Sequence, residues 1–274
     1  METVEEYVQA RRVLLDALAA LEPHLDNLIL IGAQAVYLHT GESDLNVPLM
    51  TTDGDLAMNT TGLADVPEIG GAMRAAGFSP GANPGRWLGG GDVAIDLMVA
   101  PHQARTAKRT ARAARLAPHS KETARIAKGL EPSLVDNSVF KIASFSADDS
   151  REVRLRVAGP AALLTAKAIK IGERLRQSDI QPDRLKQKDA LDVFRVLRAI
   201  QTKDLVDGFR KHREVEEARA ASEEAMEILR ENSTSREGRI VQLAVEAASG
   251  DPTVAPSFVA LAALLQKALE SDGW

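Results

Sequence analysis

The chain has 274 residues, 45% of them apolar and 27% charged, which is the composition of an ordinary folded protein and excludes a disordered or fibrous chain. It has no cysteine, so disulfide frameworks, thiolate metal sites and cysteine nucleophiles are excluded. The five histidines, His24, His39, His102, His119 and His212, lack the close spacing of a zinc motif, so any metal is expected on oxygen. A net charge of −5 decides nothing about nucleic acid, but its distribution is informative. Arg105, Lys108, Arg109, Arg112, Arg115, Lys121, Arg125 and Lys128 form a basic segment in which Glu122 is the only acid.

In chain order, Val4, Tyr7, Val8, Leu14, Leu15, Leu18 and Leu21 recur in steps that predict a helix over 3–22, ended by Pro23 and with a gap in its apolar face at Arg11. Its acidic start, with Arg11, Arg12 and Asp16 interrupting the apolar positions, does not fit a signal peptide. Nothing approaches the roughly eighteen uncharged apolar residues of a membrane span, so a cytoplasmic protein with no membrane partner is expected. Leu28-Ile29-Leu30-Ile31 ends at Gly32 and reads as a buried strand, followed by helical spacing over 33–39.

Residues 50–58 read as a second strand with acids at alternate positions, and Thr60 or Thr61 as the cap of a helix over 66–76 ended by Gly77. A glycine-rich stretch precedes a third strand over 93–99, and two strand-like runs over 138–145 and 152–157 flank a turn at Asp148-Asp149-Ser150. From Pro160 onward helices are expected over 161–176, 185–200, 204–229, 240–248 and 257–269. The simplest architecture is α+β: a mixed-sheet lobe over 1–159 followed by a helical lobe over 160–274.

The chemistry concentrates in the strands. Alternate side chains of a strand share a face, so Asp53 and Asp55 in Thr51-Thr52-Asp53-Gly54-Asp55 point the same way, about 7 Å apart at the α-carbons, a spacing that lets both reach one or two divalent ions. Gly54 keeps the other face small. Asp96 lies inside an apolar strand, where an unpaired carboxylate is costly to bury. If strands 50–58 and 93–99 are neighbours, it completes a triad with Asp53 and Asp55, and a cation relieves their mutual repulsion. Gly32-Ala33, between a strand and a helix, offers backbone N–H groups to phosphate oxygens at a positive helix end.

The series Ile29-Leu30-Ile31-Gly32-Ala33-Gln34-Ala35, Thr51-Thr52-Asp53-Gly54-Asp55-Leu56 and Ile95-Asp96 resembles the polymerase-β-like nucleotidyltransferase superfamily. Ala162-Leu163-Leu164-Thr165-Ala166-Lys167, then Arg174, then Lys188-Asp189-Ala190-Leu191-Asp192 resembles the AbiEii-type toxin nucleotidyltransferases of type IV toxin–antitoxin systems. The resemblance spans about residues 25 to 200. It implies that Asp53, Asp55 and Asp96 hold Mg2+ or Mn2+, that Lys167 contacts the phosphates of a nucleoside triphosphate, and that Asp189 supports the lysine or acts near the acceptor hydroxyl. Lys170 and Arg174 share the Lys167 stripe at i, i+3 and i+7, and would bind triphosphate with Gly32 and Ala33 while the helical lobe completes the nucleotide cleft. Two positions depart from the family pattern. Ala33 stands where Ser or Gly is frequent, and Pro48, Leu49 and Met50 stand where an Arg often precedes the acidic pair.

Bland readings stand beside these. An Asp-x-Asp pair alone is commonly a solvated turn, Lys167, Lys170 and Arg174 alone a solvated helix face, and Lys188, Asp189 and Asp192 alone a surface salt-bridge cluster. His39 and Trp87 read as packing residues. The joint occurrence carries the expectation of a metal-dependent nucleotidyltransferase that transfers a nucleotide from an NTP to RNA bound by the basic segment. The resemblance makes the acceptor a tRNA 3′ end and the role that of a toxin neutralised by a cognate antitoxin. The alternatives are transfer to a small aminoglycoside-like acceptor and a non-catalytic nucleotide-binding regulatory module.

Overall fold

A computed structural model of the protein describes residues 5–41, 47–106 and 111–274. Val4, Lys108 and Arg109 lie outside the described residues. Helix α1 (Glu5–Ala20) buries Tyr7, Leu14, Leu15 and Leu18 as its spacing predicts, and Arg11 and Val13 are buried with them. Strand β1 (Leu28–Ile31) is buried throughout and runs directly into α2 (Gly32–Thr40). Strand β2 (Asp53–Met58) is shorter at its start than expected.

The helix expected over 66–76 is α3 (Ile69–Ala75), and neither Thr60 nor Thr61 caps it. Glu68 does, accepting from the N–H of Gly70 at 3.1 Å and from that of Gly71. The cap falls there because proline at 67 holds the preceding residue out of helical conformation. The glycine-rich stretch hides two short strands, β3 (Ser79–Pro80) and β4 (Arg86–Leu88), ahead of β5 (Ala94–Val99). Another short strand, β6 (Arg125–Ile126), lies in the basic segment. The expected hairpin is β7 (Asn137–Ala143) with β8 (Glu152–Ala158).

Among the described residues these strands form one mixed sheet in the order β3-β4-β5-β2-β1-β8-β7, with β6 paired to β5. Strands β1 and β2 are antiparallel, whereas β2 with β5 and β1 with β8 are parallel.

The helices are α4 (Pro160–Leu175), α5 (Gln187–Ala199), α6 (Thr202–Arg213), α7 (Glu216–Ser233), α8 (Arg239–Ala247) and α9 (Val254–Ser271). The single helix expected over 204–229 is two. Val215 is extended (φ −125°, ψ 122°), which ends α6 and starts α7. Helix periodicity alone cannot report such a break, because both halves keep apolar residues for burial.

The described residues fall into two compact units. One lies within Met1–Ala35, Pro48–Leu130 and Asn137–Ala158, the other within Val36–Val47, Glu131–Asp136 and Gly159–Trp274. The first holds the sheet with α1 and α3. The second holds α4 to α9, together with residues 36–41, 47 and 131–136, which the division at 159 assigned to the first lobe. No helix among the described residues is long and apolar enough to cross a membrane.

Candidate active site

Asp53 and Asp55 lie on β2 at half-buried positions, while Gly54 between them is buried. A Cβ at Gly54 would stand 2.9 Å from Ile95 Cδ1 and 3.3 Å from Leu14 Cδ1, so that side of the strand is filled by apolar packing. Strands β2 and β5 pair in parallel with Asp55 directly opposite Asp96. Residues in register on adjacent strands share a face, about 4.8 Å apart. The sheet therefore presents Asp53, Asp55 and Asp96 on one face, as the expected neighbouring of the two strands requires.

Gly32 closes one side of this row. Its φ of +70° is costly for any other residue, and a Cβ there would lie 2.1 Å from Asp55 Oδ2. The strand-to-helix turn thus brings bare backbone against the Asp55 carboxylate. Gly32 and Ala33 open α2, so their N–H groups belong to the helical first turn that has no intrahelical acceptors.

Two side chains hold the start of β2 in place. Thr51 Oγ1 donates to Asp53 Oδ1 at 2.8 Å, and Gln34 Nε2 donates to the Asp53 carbonyl at 3.0 Å. Gln34 is oriented in turn by Arg11 Nε, which donates to its Oε1 at 2.8 Å. Arg11 also donates to the Ala143 carbonyl at 2.9 Å and to the Tyr7 hydroxyl at 3.2 Å, and stacks 4.4 Å from the Phe145 ring centre. Burial pulls its guanidinium below the usual arginine range, and Tyr7 only partly restores it. Arg11 is the gap in the apolar face of α1. That gap was the one sequence signal for this chain of contacts.

Asp96 was expected to need a partner in its apolar strand, and the structure sets two arginines beside it. Arg86 Nη1 lies 3.4 Å and Arg125 Nη2 3.5 Å from Asp96 Oδ2. Arg86 sits directly opposite Asp96 on β4, and Arg125 lies on β6. Neither was legible, because each belongs to a strand too short to show periodicity.

Among the described residues no group of three or more histidine or carboxylate side chains is gathered so as to hold an ion as placed. The donor set itself fits a hard divalent cation: three carboxylates on one face, two of them half-exposed beside a glycine that only backbone can occupy.

Lys167, Lys170, Arg174, Asp189 and Asp192 assemble within the second unit. Lys167 Nζ donates to Asp189 Oδ1 at 2.8 Å and to Asp192 Oδ2 at 2.6 Å. Lys170 Nζ donates to Asp189 Oδ1 at 2.9 Å, and Arg174 Nη1 to Asp189 Oδ2 at 2.7 Å. Lys167, Asp189 and Asp192 are buried, so the reading of a solvated surface cluster does not hold. Burial alone would raise the Asp189 carboxyl, but Lys167 and Lys170 outweigh it and hold it well below the usual carboxylate range. Burial works against the Lys167 charge too, and Asp189 with Asp192 reverses this and raises it well above the usual lysine range. Asp192 had been visible only as the second acid of the helix motif. Its i+3 spacing from Asp189 was the available signal.

Of the basic segment, Arg105, Arg112, Arg115, Lys121 and Lys128 are exposed, whereas Arg125 turns in to Asp96. Glu122 pairs with Arg74. Trp87 is fully buried and donates to the Thr123 carbonyl at 3.3 Å, a packing residue as expected. Comparison with known protein families, curated proteins and solved structures finds no match to this chain.

Proposed function

We propose that the chain is a metal-dependent nucleotidyltransferase with a polymerase-β-like catalytic lobe, transferring a nucleotide from an NTP to an RNA acceptor. One observation carries the reading: Asp53, Asp55 and Asp96 share a face of adjacent parallel strands, with the Gly32 backbone turned against Asp55. Such transfer asks little covalent work of a protein; it asks for positioned phosphates and neutralised charge.

Asp53, Asp55 and Asp96 would hold Mg2+ or Mn2+, which supplies charge neutralisation between the attacking and leaving oxygens. The acceptor hydroxyl oxygen bonds to the α-phosphorus of the NTP, the bond to pyrophosphate breaks, and pyrophosphate leaves with the electron pair. Asp96, the most buried of the three carboxylates, shares the ion or receives the hydroxyl proton. The first-turn N–H groups of α2 meet phosphate oxygens. Thr51 and the Arg11–Gln34 pair keep β2 aligned so that the carboxylates stay oriented. In the second unit, Lys167 fixes Asp189 and Asp192, with Lys170 and Arg174 as the less buried members of that network; a role for these cations in triphosphate binding rests on the sequence resemblance. A tRNA 3′ end as acceptor, and a toxin role countered by an antitoxin, rest on the sequence resemblance and on the exposed basic segment.

The test is incubation of the full chain with total RNA, each labelled NTP and Mg2+. Label is expected in a tRNA-sized band, and Asp55→Asn should lower it by at least about 100-fold, the scale of losing one group that stabilises transition-state charge. Full transfer by Asp55→Asn would overturn the assignment. Label on an aminoglycoside and not on RNA would move it to small acceptors, and triphosphate binding without pyrophosphate release would make it a binding module.

A further inference from the structure

We propose that Arg86 and Arg125 form a subsite for a phosphodiester of the acceptor RNA strand, with Asp96 as their resting counterion. This rests on the nucleotidyl-transfer reading and adds to it the side from which the acceptor enters. Strand β5 has β2 on one side and β4 with β6 on the other. Across the sheet one register row runs Arg86, Asp96, Asp55, Ile31. Charge is therefore segregated about Asp96: carboxylates and the Gly32 turn lie toward β1, guanidiniums toward β4 and β6. The carboxylate side is where a cation and a triphosphate fit. The guanidinium side is left for the second substrate.

The contacts to Asp96 are those of a loose counterion. Both arginines reach the same oxygen end-on, at 3.4 and 3.5 Å, the outer limit of a hydrogen bond. Their side chains remain 41% and 36% exposed, so neither arginine is enclosed in the core. A single bidentate arginine would neutralise Asp96 better. A cation drawn to Asp96 would also be repelled by both guanidiniums unless an anion arrives with it. An RNA phosphate supplies that anion and takes the released donors in a fork geometry. Arg125 belongs to the basic segment whose Arg112, Arg115, Lys121 and Lys128 are exposed, which adds positive charge for the rest of a strand.

The test is fluorescence-anisotropy titration of the full chain with a labelled single-stranded RNA across a range of salt, without NTP or metal, alongside a labelled NTP titration with Mg2+. Arg86→Gln with Arg125→Gln is expected to weaken RNA binding about tenfold or more and to reduce the salt slope by about 0.7, the release from one single-strand phosphate contact. Lys141→Gln, which removes an exposed charge paired to Glu152 on β7, should leave both unchanged. Because the double variant deprives Asp96 of both arginines and so also weakens the fold, Asp96→Asn is the second arm: it frees both arginines and should tighten RNA binding while transfer falls, which a purely structural pair would not do. Unchanged RNA affinity in the double variant, or lost NTP affinity with RNA affinity intact, overturns the subsite. If wild type transfers no nucleotide but the variants show the RNA effects, the transferase reading fails and the subsite stands. If wild type transfers and the variants keep their RNA affinity, the converse holds.

Discussion

At Gly32 two independent demands meet. The positive φ of +70° is strained for any L residue, and a Cβ would collide with the Asp55 carboxylate. Gly32→Ala is therefore expected to cost about 1–3 kcal/mol of stability, read by urea denaturation, and to displace Asp55. Nucleotide transfer should fall far more than stability does; a variant with native stability and native transfer would show that the close approach is not needed. Arg11 makes the complementary case. Arg11→Met keeps an apolar stem in the core but leaves Gln34 without its donor, and about 1–3 kcal/mol of destabilisation is expected from the orphaned buried acceptors. That Gly54 faces away from the two acids was legible, since alternate residues of a strand face opposite sides, although its neighbours Leu14 and Ile95 were not. That Gly32 touches Asp55 was not, because it depends on the antiparallel register that sets Ile31 opposite Asp55.

Between helices α4 and α5 the bond network around Asp189 is a buried device whose worth depends on completeness. Lys167→Met leaves two buried carboxylates, with Asp192 deprived of its hydrogen bond from Lys167, and should cost about 3–5 kcal/mol by chemical denaturation. Lys170→Gln removes a more exposed donor and should cost no more than about 1 kcal/mol. A comparable loss from both would show that burial does not govern this site. The pH dependence follows from the two shifts. The depressed Asp189 carboxyl contributes stability that is full above its unfolded value of about 3.9 and is lost as pH falls through its lower folded value. The raised Lys167 contributes stability that is full below about 10.4 and is lost as pH rises through its higher folded value. Wild type should thus hold this contribution between about pH 4 and 10, and Lys167→Met should narrow the difference from wild type toward low pH. Thermal melts of both across that range read it directly. At the same scale, the strands that carry Arg86 and Arg125 have three and two residues. Alternation over so few positions carries no signal, so they surfaced only through pairing to β5.

For the molecule as a whole, the two units each have their own core, and burial ranks the strands of the first. Strands β1 and β5 are buried along their whole length, whereas β3 is exposed at both residues. Native-state hydrogen exchange should find amides of β1, β2 and β5 among the slowest and those around β3 among the fastest, since exchange follows buried hydrogen-bonded structure. Fast exchange throughout β5 would contradict its placement inside the sheet.

Sequence alone determined the elements whose side chains obey a period over several turns or residues: α1, β1, β5, the β7–β8 hairpin and the later helices. It also determined the acidic alternation of Asp53 and Asp55, because backbone geometry ties spacing to face without reference to the rest of the fold. Tertiary structure decided what spacing cannot carry. It set Asp55 opposite Asp96, gave Asp96 two arginine partners from distant short strands, buried Arg11 as a brace for Gln34, and broke the helix at Val215. The pairings of Asp55, Asp96 and Arg11 are contacts between different elements, and their energy comes from a partner that local pattern does not name.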